Sequence, residues 1–252
     1  MSGAANAGAQ GATNAFSQLA SAVDCGGLDA DEELSCVQNV PALRIQDIVQ
    51  SSTLPGTNTS VPRFGAVVDN VTVFANNTER LEKNLTANVP LITGYTTNEN
   101  AAFGGYTGKN QTAPPPVMGG PGFSLGCSVK SEIETRLHYN LPTYRYLFAG
   151  NFSNITPRYW LGAMHSSDLP IVFGTHNQFR GNSTDLEWAT SYAMQDFWGS
   201  FVVNAMMDPT DSKGVEWPQY AETGDTMVVF GGNGSEAVRL RPGTYADGFA
   251  EC

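Results

Sequence analysis

Long apolar runs, basic residues and cysteines are all scarce in this sequence of 252 residues. No apolar run approaches the ~18 consecutive residues of a transmembrane helix, so the sequence predicts no membrane span. Basic side chains number 13 against 24 acidic ones, which gives a formal net charge of −11. Because phosphate backbones repel a chain of this charge, we expect no nucleic-acid partner.

The four cysteines and three histidines do not form a metal-binding pattern. No CxxC pair occurs, and no His or Cys spacing is typical of zinc, so we expect no metal site. Cys25 and Cys36 flank a Gly- and acid-rich segment that a disulfide could close. Cys127 and Cys252 could pair with each other, stay free or form disulfides elsewhere, and the sequence does not decide between these possibilities.

Asparagine sequons are more frequent than composition explains. With 19 Asn and 40 Ser or Thr in the chain, chance gives about three Asn-x-Ser/Thr sites, and nine are present. The excess predicts a secreted glycoprotein, although loops rich in Asn and Thr would also raise the number. The predicted acceptors are Asn58, Asn70, Asn76, Asn84, Asn110, Asn151, Asn154, Asn182 and Asn233.

The N-terminus does not fit this secretory interpretation by itself. Residues 1–14 carry neither the basic region nor the apolar region of a signal peptide. Two hypotheses follow: the protein is not secreted, or the sequence lacks its true N-terminus.

The hydrophobic pattern alternates between strand-like and helix-like segments, which predicts an α/β fold with a mostly parallel sheet. No repeat or linker divides the chain, so we predict a single domain. Strands are predicted at 89–95, 143–149 and 226–230, and helices at 14–24, from Pro41 onward, at 128–140 and at 185–205. The inner face predicted for the last helix comprises Leu186, Ala189, Met194, Phe197, Phe201 and Val202.

Two polar segments follow predicted strands and could carry chemistry. The segment GYTTNE places Glu99 just beyond one strand, where open α/β sheets place their sites, and the segment GAMHSSDL places His165 on a loop. A carboxylate that orients a histidine supplies two members of a nucleophilic triad. Taken alone the pair is a weak signal, since most loop Glu and His residues are solvated or structural.

The order of several motifs strengthens this interpretation. The segments PRFGAVVDN, VPLITGYTTNENAAF, GAMHSSDLPIVFG and MQDFWGSFVVNAMMDP follow one another along the chain. Together they resemble the C-terminal part of a type B carboxylesterase, the family of cholinesterases and fungal lipases and esterases. Ala66, Asn70 and Asn100 depart from its usual Pro, Gly and Gly. The resemblance implies the C-terminal portion of an α/β-hydrolase fold, so 1–252 would be an incomplete single domain whose N-terminal half is missing.

The resemblance also implies roles for individual residues. Glu99 falls on the triad acid and His165 on the triad base of a secreted serine esterase or lipase, with a small-molecule or lipid ester as substrate and no cofactor. The Cys25–Cys36 segment resembles the disulfide loop of the family. The triad serine should precede Glu99 in a G-x-S-x-G motif, and no such motif occurs there. We therefore expect the serine and the signal peptide in the missing part, and an inactive isolated chain.

Two other functions are compatible with parts of the sequence. Gly122–Gly126 matches G-x-S-x-G, which would make Ser124 the nucleophile of a self-contained hydrolase. The preceding prolines exclude the buried strand that this motif needs. A cholinesterase-like binding or adhesion module without catalysis is the alternative function.

Several further residues are predicted to have structural roles. Asp168 is expected to cap or turn the segment that follows it rather than to act as a second acid, and Cys127 to serve packing or a disulfide. Trp198, Trp217 and Phe201 are predicted core residues, whereas His138 and His176 have no partner that the sequence identifies.

Overall fold

The computed structural model describes residues 15–51, 53–56, 58, 60–61, 64, 66–99, 101, 125–156, 158–178 and 180–244. These residues form two compact units, one within the chain up to Arg80 and the other within the chain from Leu81 onward. Within these ranges no helix is both long enough and apolar enough to cross a membrane.

Three short helices form the core of the unit that ends at Arg80. They are α1 (Ala15–Ala22), α2 (Ala30–Gln38) and α3 (Ala42–Gln50), and α1 and α3 confirm two predicted helices. Pro41 precedes the first helical residue of α3, where its fixed φ angle and missing N–H do no harm. The buried side chains shared by these helices are Leu19, Ala20, Val23, Cys25, Val37 and Ile48.

The Cys25–Cys36 disulfide is present, with 5.7 Å between the two Cα atoms. The segment that it closes contains most of α2, a helix that the sequence analysis did not predict. The Asp29 carboxylate accepts hydrogen bonds from the backbone N–H groups of Asp31 and Glu32. This cap and the acidic first turn both favour a helix N-terminus, so the acid-rich segment encodes a helix start rather than a plain loop.

The chain turns at Asp69 and Asn70, where Asn70 has a φ of 58°. The Thr72 hydroxyl and three backbone N–H groups donate hydrogen bonds to the Asp69 carboxylate. Because these bonds stabilise the charged form, they hold the pKa of Asp69 well below its usual range. A short helix, α4 (Asn77–Glu82), follows.

The unit from Leu81 onward is built on a four-stranded sheet whose order is β1-β2-β3-β4. The strands are β1 (Leu91–Thr96), β2 (Thr143–Phe148), β3 (Met227–Phe230) and β4 (Val238–Arg241). The first three are parallel, and β4 pairs antiparallel with β3. This mixed sheet confirms the predicted α/β class and all three predicted strands.

Helices connect the parallel strands, as parallel pairing requires. The helix α5 (Leu125–His138) lies between β1 and β2 in the chain, and α6 (Leu169–Val172) and α7 (Asp185–Val203) lie between β2 and β3. Both α5 and α7 were predicted, whereas α6 and β4 were not. The sequence of β4, VRLR, alternates charged with apolar residues on a partly exposed strand, and it is too short to give a clear period.

The two faces of the sheet pack against different helices. Along β2 the side chains of Tyr144, Tyr146 and Phe148 share a cluster with Met194 and Phe197 of α7. Leu147, the alternate residue of β2, joins a second cluster with Val129 and Ile133 of α5. Successive side chains of a strand point to opposite faces of the sheet, so the fully buried strand β2 contributes side chains to both cores. Trp217 is fully buried in the first core, and Trp198 and Phe201 pack against it, as expected.

Helix α7 begins with a complete capping box. The Thr184 hydroxyl accepts a bond from the Glu187 N–H, and the Glu187 carboxylate accepts one from the Thr184 N–H. The predicted inner face of α7 is wrong at Val202, which is 80% exposed. Each helical residue advances ~100° around the axis, so Val202 lies well away from the face of Phe201.

Candidate active site

Glu99 lies three residues beyond β1, at the carboxyl end of the parallel strands, and is 8% exposed. Its Oε1 atom accepts a hydrogen bond of 2.7 Å from the backbone N–H of Thr96, the last residue of the strand. The backbone N–H of Thr97 donates in turn to the carbonyl of Phe148, at the end of β2. The strand ends therefore fix the direction of the Glu99 carboxylate.

His165 lies on the loop between β2 and α6, 66 residues from Glu99 in the sequence. The next residue, Ser166, has a φ of 66°, a left-handed conformation that costs non-glycine residues roughly 1–2 kcal/mol. Its side chain stands where the resemblance to carboxylesterases places either Gly or, in the fungal branch, Ser. The surrounding loop must hold this tight bend to present the imidazole.

Asn98 ties the loop of Glu99 to the loop of His165. Its backbone N–H donates to the carbonyl of Ala163, and its side-chain amide donates to the carbonyls of Trp160 and Leu161. Asn98 also forms an isolated parallel bridge with Met164. One buried amide residue thereby fixes the spacing between the carboxylate and the imidazole.

The structure brings the two predicted residues into direct contact. The Nδ1 atom of His165 lies 2.5 Å from Oε2 of Glu99. Since a carboxylate only accepts, Nδ1 carries the proton and Nε2 of the neutral ring is the atom left with a lone pair. The imidazole is partly open to solvent, with 38% of its side chain exposed, whereas the Glu99 side chain is 9% exposed. This arrangement can accept a proton from a hydroxyl group and stabilise the resulting imidazolium.

Asp168 lies in the turn directly before α6, as the sequence analysis predicted. It occupies the N-cap position of α6, but its side chain makes no capping hydrogen bond. Instead it is 3% exposed, and its Oδ2 atom accepts a 3.1 Å hydrogen bond from the Tyr146 hydroxyl in the middle of β2. Burial raises the pKa of Asp168, and it raises the pKa of Tyr146 well above its ordinary value.

A second polar cluster was missed because its members are distant in sequence. Nδ1 of His176 lies 2.7 Å from the Ser183 hydroxyl and 3.3 Å from Oε1 of Glu187. The Asn154 amide donates to that same Glu187 oxygen and to the His176 carbonyl. His176, Glu187 and Asn154 are all buried. Their hydrogen bonds connect the loop after β2 to the start of α7.

The predicted glycan acceptors differ in exposure. Asn154 is 4% exposed, and its Nδ2 atom, to which a glycan would be attached, makes the bonds just described. We therefore remove Asn154 from the predicted set. Asn110 lies outside the described residues, and the exposed acceptors are Asn58, Asn70, Asn76, Asn84, Asn151 and Asn182.

The remaining predicted residues are placed as follows. Cys127, in α5, is disulfide-bonded, which confirms its structural role. Ser124 and Cys252 lie outside the described residues. No group of three or more His, Cys, Asp or Glu in the described ranges could hold a metal ion. His138 ends α5 and makes an edge contact with the ring of Tyr139.

A mostly parallel sheet with helices on both faces, carrying an acid and a histidine beyond its strand ends, is the architecture of the α/β hydrolases. Within this class the chain belongs to the carboxylesterase family, whose model matches residues 1–116 and 123–241.

Individual relatives agree with the family. A chlorogenic acid esterase of Aspergillus niger is 40% identical over 231 residues, covering 87% of this chain and 44% of the relative. Secreted lipase 5 of Gibberella zeae is 37% identical over 218 residues, covering 81% and 39%. An acetylcholinesterase of Bungarus fasciatus is 29% identical over 113 residues, covering 44% and 18%. The chain spans less than half the length of each relative.

Proposed function

We propose that this chain supplies the acid and the base of a serine carboxylic ester hydrolase. The single observation that carries the proposal is the 2.5 Å contact between Nδ1 of His165 and Oε2 of Glu99. The Thr96 N–H holds the other carboxylate oxygen, so the carboxylate is aimed at the ring before any substrate binds. This preorganisation is what a triad acid needs, since it fixes the tautomer and stabilises the imidazolium.

The chemistry follows from the tautomer of His165, in which Nδ1 carries the proton and Nε2 carries a lone pair. His165 removes the proton of a serine hydroxyl as the serine oxygen attacks the ester carbonyl. The imidazolium then protonates the departing alkoxide, which leaves an acyl-serine and an alcohol. Water, deprotonated by the same imidazole, releases the carboxylic acid and restores the serine. Glu99 keeps its contact with Nδ1 and stabilises the imidazolium in both halves of the reaction.

The proposal takes the serine from outside this chain. No G-x-S-x-G motif precedes Glu99 among the 252 residues, although the triad order of this fold requires one there. The chain also covers only 44% of the esterase relative and 39% of the lipase relative. The complete enzyme would therefore include further sequence before Glu99.

The proposed substrate is a carboxylic ester of a small molecule or a lipid. The names of two relatives, a chlorogenic acid esterase and a secreted lipase, support that class. We also propose secretion and glycosylation at exposed sequons. Support comes from the Cys25–Cys36 disulfide, the number of exposed sequons and the name of the secreted relative.

Two measurements test the role of the chain. The isolated chain should neither hydrolyse a p-nitrophenyl ester above the buffer rate nor react with a fluorophosphonate probe. Labelling at Ser124 would contradict the proposal and would indicate a self-contained hydrolase instead. The in-frame coding sequence upstream of Met1 should contain a G-x-S-x-G motif, and a sequence there without one would also contradict it.

A polypeptide that joins this upstream sequence to the chain should be an active esterase. In it, His165→Ala and Glu99→Gln should each lower kcat by roughly 10³-fold to 10⁴-fold. The matched controls His138→Ala and Glu134→Gln change exposed residues of α5 and should leave kcat unchanged. Equal activity of His165→Ala and wild type would refute the assignment of the base.

A further inference from the structure

A buried tyrosine of β2 contacts the loop that carries His165. Tyr146 is 1% exposed and pairs in register with Gly94 of β1. A Cβ atom on Gly94 would lie 2.4 Å from the Tyr146 ring, so only glycine leaves room for the ring at this position. Edge-to-face contacts with Trp198, at 5.2 Å between ring centres, and with Phe230, at 6.3 Å, fix the ring further.

The hydroxyl group of this rigid ring donates a 3.1 Å hydrogen bond to the Asp168 carboxylate. Asp168 is nearly fully buried, yet its other oxygen, Oδ1, has no hydrogen-bond partner among the described residues. Burying a carboxyl group is costly when one of its oxygens has no hydrogen bond. Since Asp168 does not cap α6, helix capping does not account for it.

Because Asp168 follows His165 closely in the chain, its hydrogen bond to Tyr146 anchors the loop that carries His165. His165 lies between two anchored points of one loop. On its N-terminal side, Asn98 holds the carbonyls of Leu161 and Ala163. On its C-terminal side, the Tyr146 hydroxyl holds Asp168, three residues beyond His165. The first anchor belongs to the loop of Glu99 after β1, and the second belongs to β2, the strand hydrogen-bonded to β1.

We propose that Asp168 is a positioning residue, which acts through its hydrogen bond to Tyr146 to hold His165 at contact distance from Glu99. This inference rests on the proposed roles of Glu99 and His165. The bond crosses from the loop to the centre of the sheet, so it resists displacement of the His165 backbone away from the strand ends. A displacement of even ~1 Å in such a constellation can reduce a rate about a hundredfold.

The isolated chain provides a test that needs no nucleophile. The Nδ1 proton of His165, shared with Glu99, should give a proton resonance far downfield of the amide region, identified by its loss in His165→Ala. Tyr146→Phe removes only the hydroxyl, and Asp168→Ala removes only the acceptor. Both should broaden or abolish the resonance. Asp168→Asn keeps an acceptor oxygen for the hydroxyl and should retain it.

Tyr144→Phe is the matched control. Tyr144 lies two residues earlier on the same face of β2, and its hydroxyl donates a 3.0 Å hydrogen bond to Asp208. The Tyr144→Phe variant therefore loses the same type of hydrogen bond at a place away from the His165 loop, and it should keep the resonance. Near-ultraviolet circular dichroism confirms that each variant retains its packed core, and the two Asp168 variants carry the test if Tyr146→Phe does not fold.

The outcomes distinguish a failure of the proposed roles of Glu99 and His165 from a failure of the proposed positioning role of Asp168. If the wild type lacks the resonance, or if Glu99→Gln keeps it, the proposed function fails. If Glu99→Gln abolishes it while folded Tyr146→Phe and Asp168→Ala retain it, only the role of Asp168 is refuted. Loss in Asp168→Asn as well would show that the carboxylate charge matters rather than the bond. In the joined active polypeptide, Tyr146→Phe and Asp168→Ala should lower kcat about tenfold to a hundredfold with KM unchanged.

Discussion

Glu99 and Asp168 are both buried carboxyl groups of this site, and their partners differ. Glu99 uses its two oxygens separately, one on a backbone N–H and the other on His165. Asp168 has a tyrosine hydroxyl on one oxygen and no partner among the described residues on the other. Burial raises the pKa of Asp168, and the Glu99 charge adds to the effect, whereas the Tyr146 hydroxyl opposes it. Asp168 should therefore affect stability in a pH-dependent way.

Asp168→Asn provides the test of that dependence. Because the pKa of Asp168 is higher in the folded chain than its ordinary value of 3.8, the folded state binds the proton more tightly than the unfolded state. The contribution of Asp168 to stability is thus full below that ordinary value and is lost as pH rises through the raised pKa. The free energy of unfolding of wild type minus that of Asp168→Asn should fall with rising pH across this interval. Urea unfolding followed by tryptophan fluorescence measures it, and a pH-independent difference would contradict the prediction.

At the scale of elements, helix α7 contacts both strand β2 and the loop that follows that strand. Its inner residues Met194 and Phe197 pack on β2, and its N-terminal Glu187 binds Asn154 in the loop after that strand. The same Glu187 completes the capping box with Thr184. One carboxylate thus serves both the start of the helix and the loop that leads from β2 toward His165.

Thr184→Ala should destabilise the chain by about 1 kcal/mol, because it leaves an N–H group at the start of α7 without its side-chain acceptor. Thr184→Ser keeps the hydroxyl and should restore most of that loss. Since Thr184 belongs to the Asn182 sequon, both variants should be produced in a host that adds no N-glycan. Urea unfolding of the three proteins gives the comparison, and equal stabilities of Thr184→Ala and wild type would contradict a role for the cap.

At the scale of the whole molecule, we expect the burial of each asparagine to decide whether it receives a glycan. Secretion from a eukaryotic host should yield glycopeptides at Asn151 and Asn182, which are exposed, and none at Asn154. A glycan on Nδ2 of Asn154 would break the hydrogen bonds to Glu187 and His176. Peptide mass spectrometry before and after enzymatic removal of N-glycans measures occupancy.

Substitutions provide the control for this pattern. Asn182→Gln should remove one glycan mass with little effect on folding, because its side chain lies in solvent. Asn154→Gln should remove no glycan mass and should lower the unfolding temperature, because the longer amide disturbs the buried cluster. A glycopeptide at Asn154 in the folded, secreted protein would overturn the prediction.

Local pattern predicted much of the fold. Strands β1, β2 and β3 follow from short apolar runs, and α5 and α7 from helical periodicity. The misses have physical causes. The helix α2 depends on a cap and an acidic first turn rather than on an apolar face, and β4 forms because β3 offers it an edge to pair with. For the site, the order of the motifs identified Glu99 and His165 through their resemblance to the carboxylesterases.

The sequence by itself determined the class of fold and the family, and it predicted the acid and the base, because these depend on residue types and on their order along the chain. Only the tertiary structure decided which groups meet. The contact between Glu99 and His165 spans 66 residues, and the bond from Tyr146 to Asp168 spans 22. The burial that excludes Asn154 as a glycan acceptor depends on partners as far away as Glu187. Such contacts arise when parallel strands bring their carboxyl ends to one edge, and no local period in the sequence encodes that geometry.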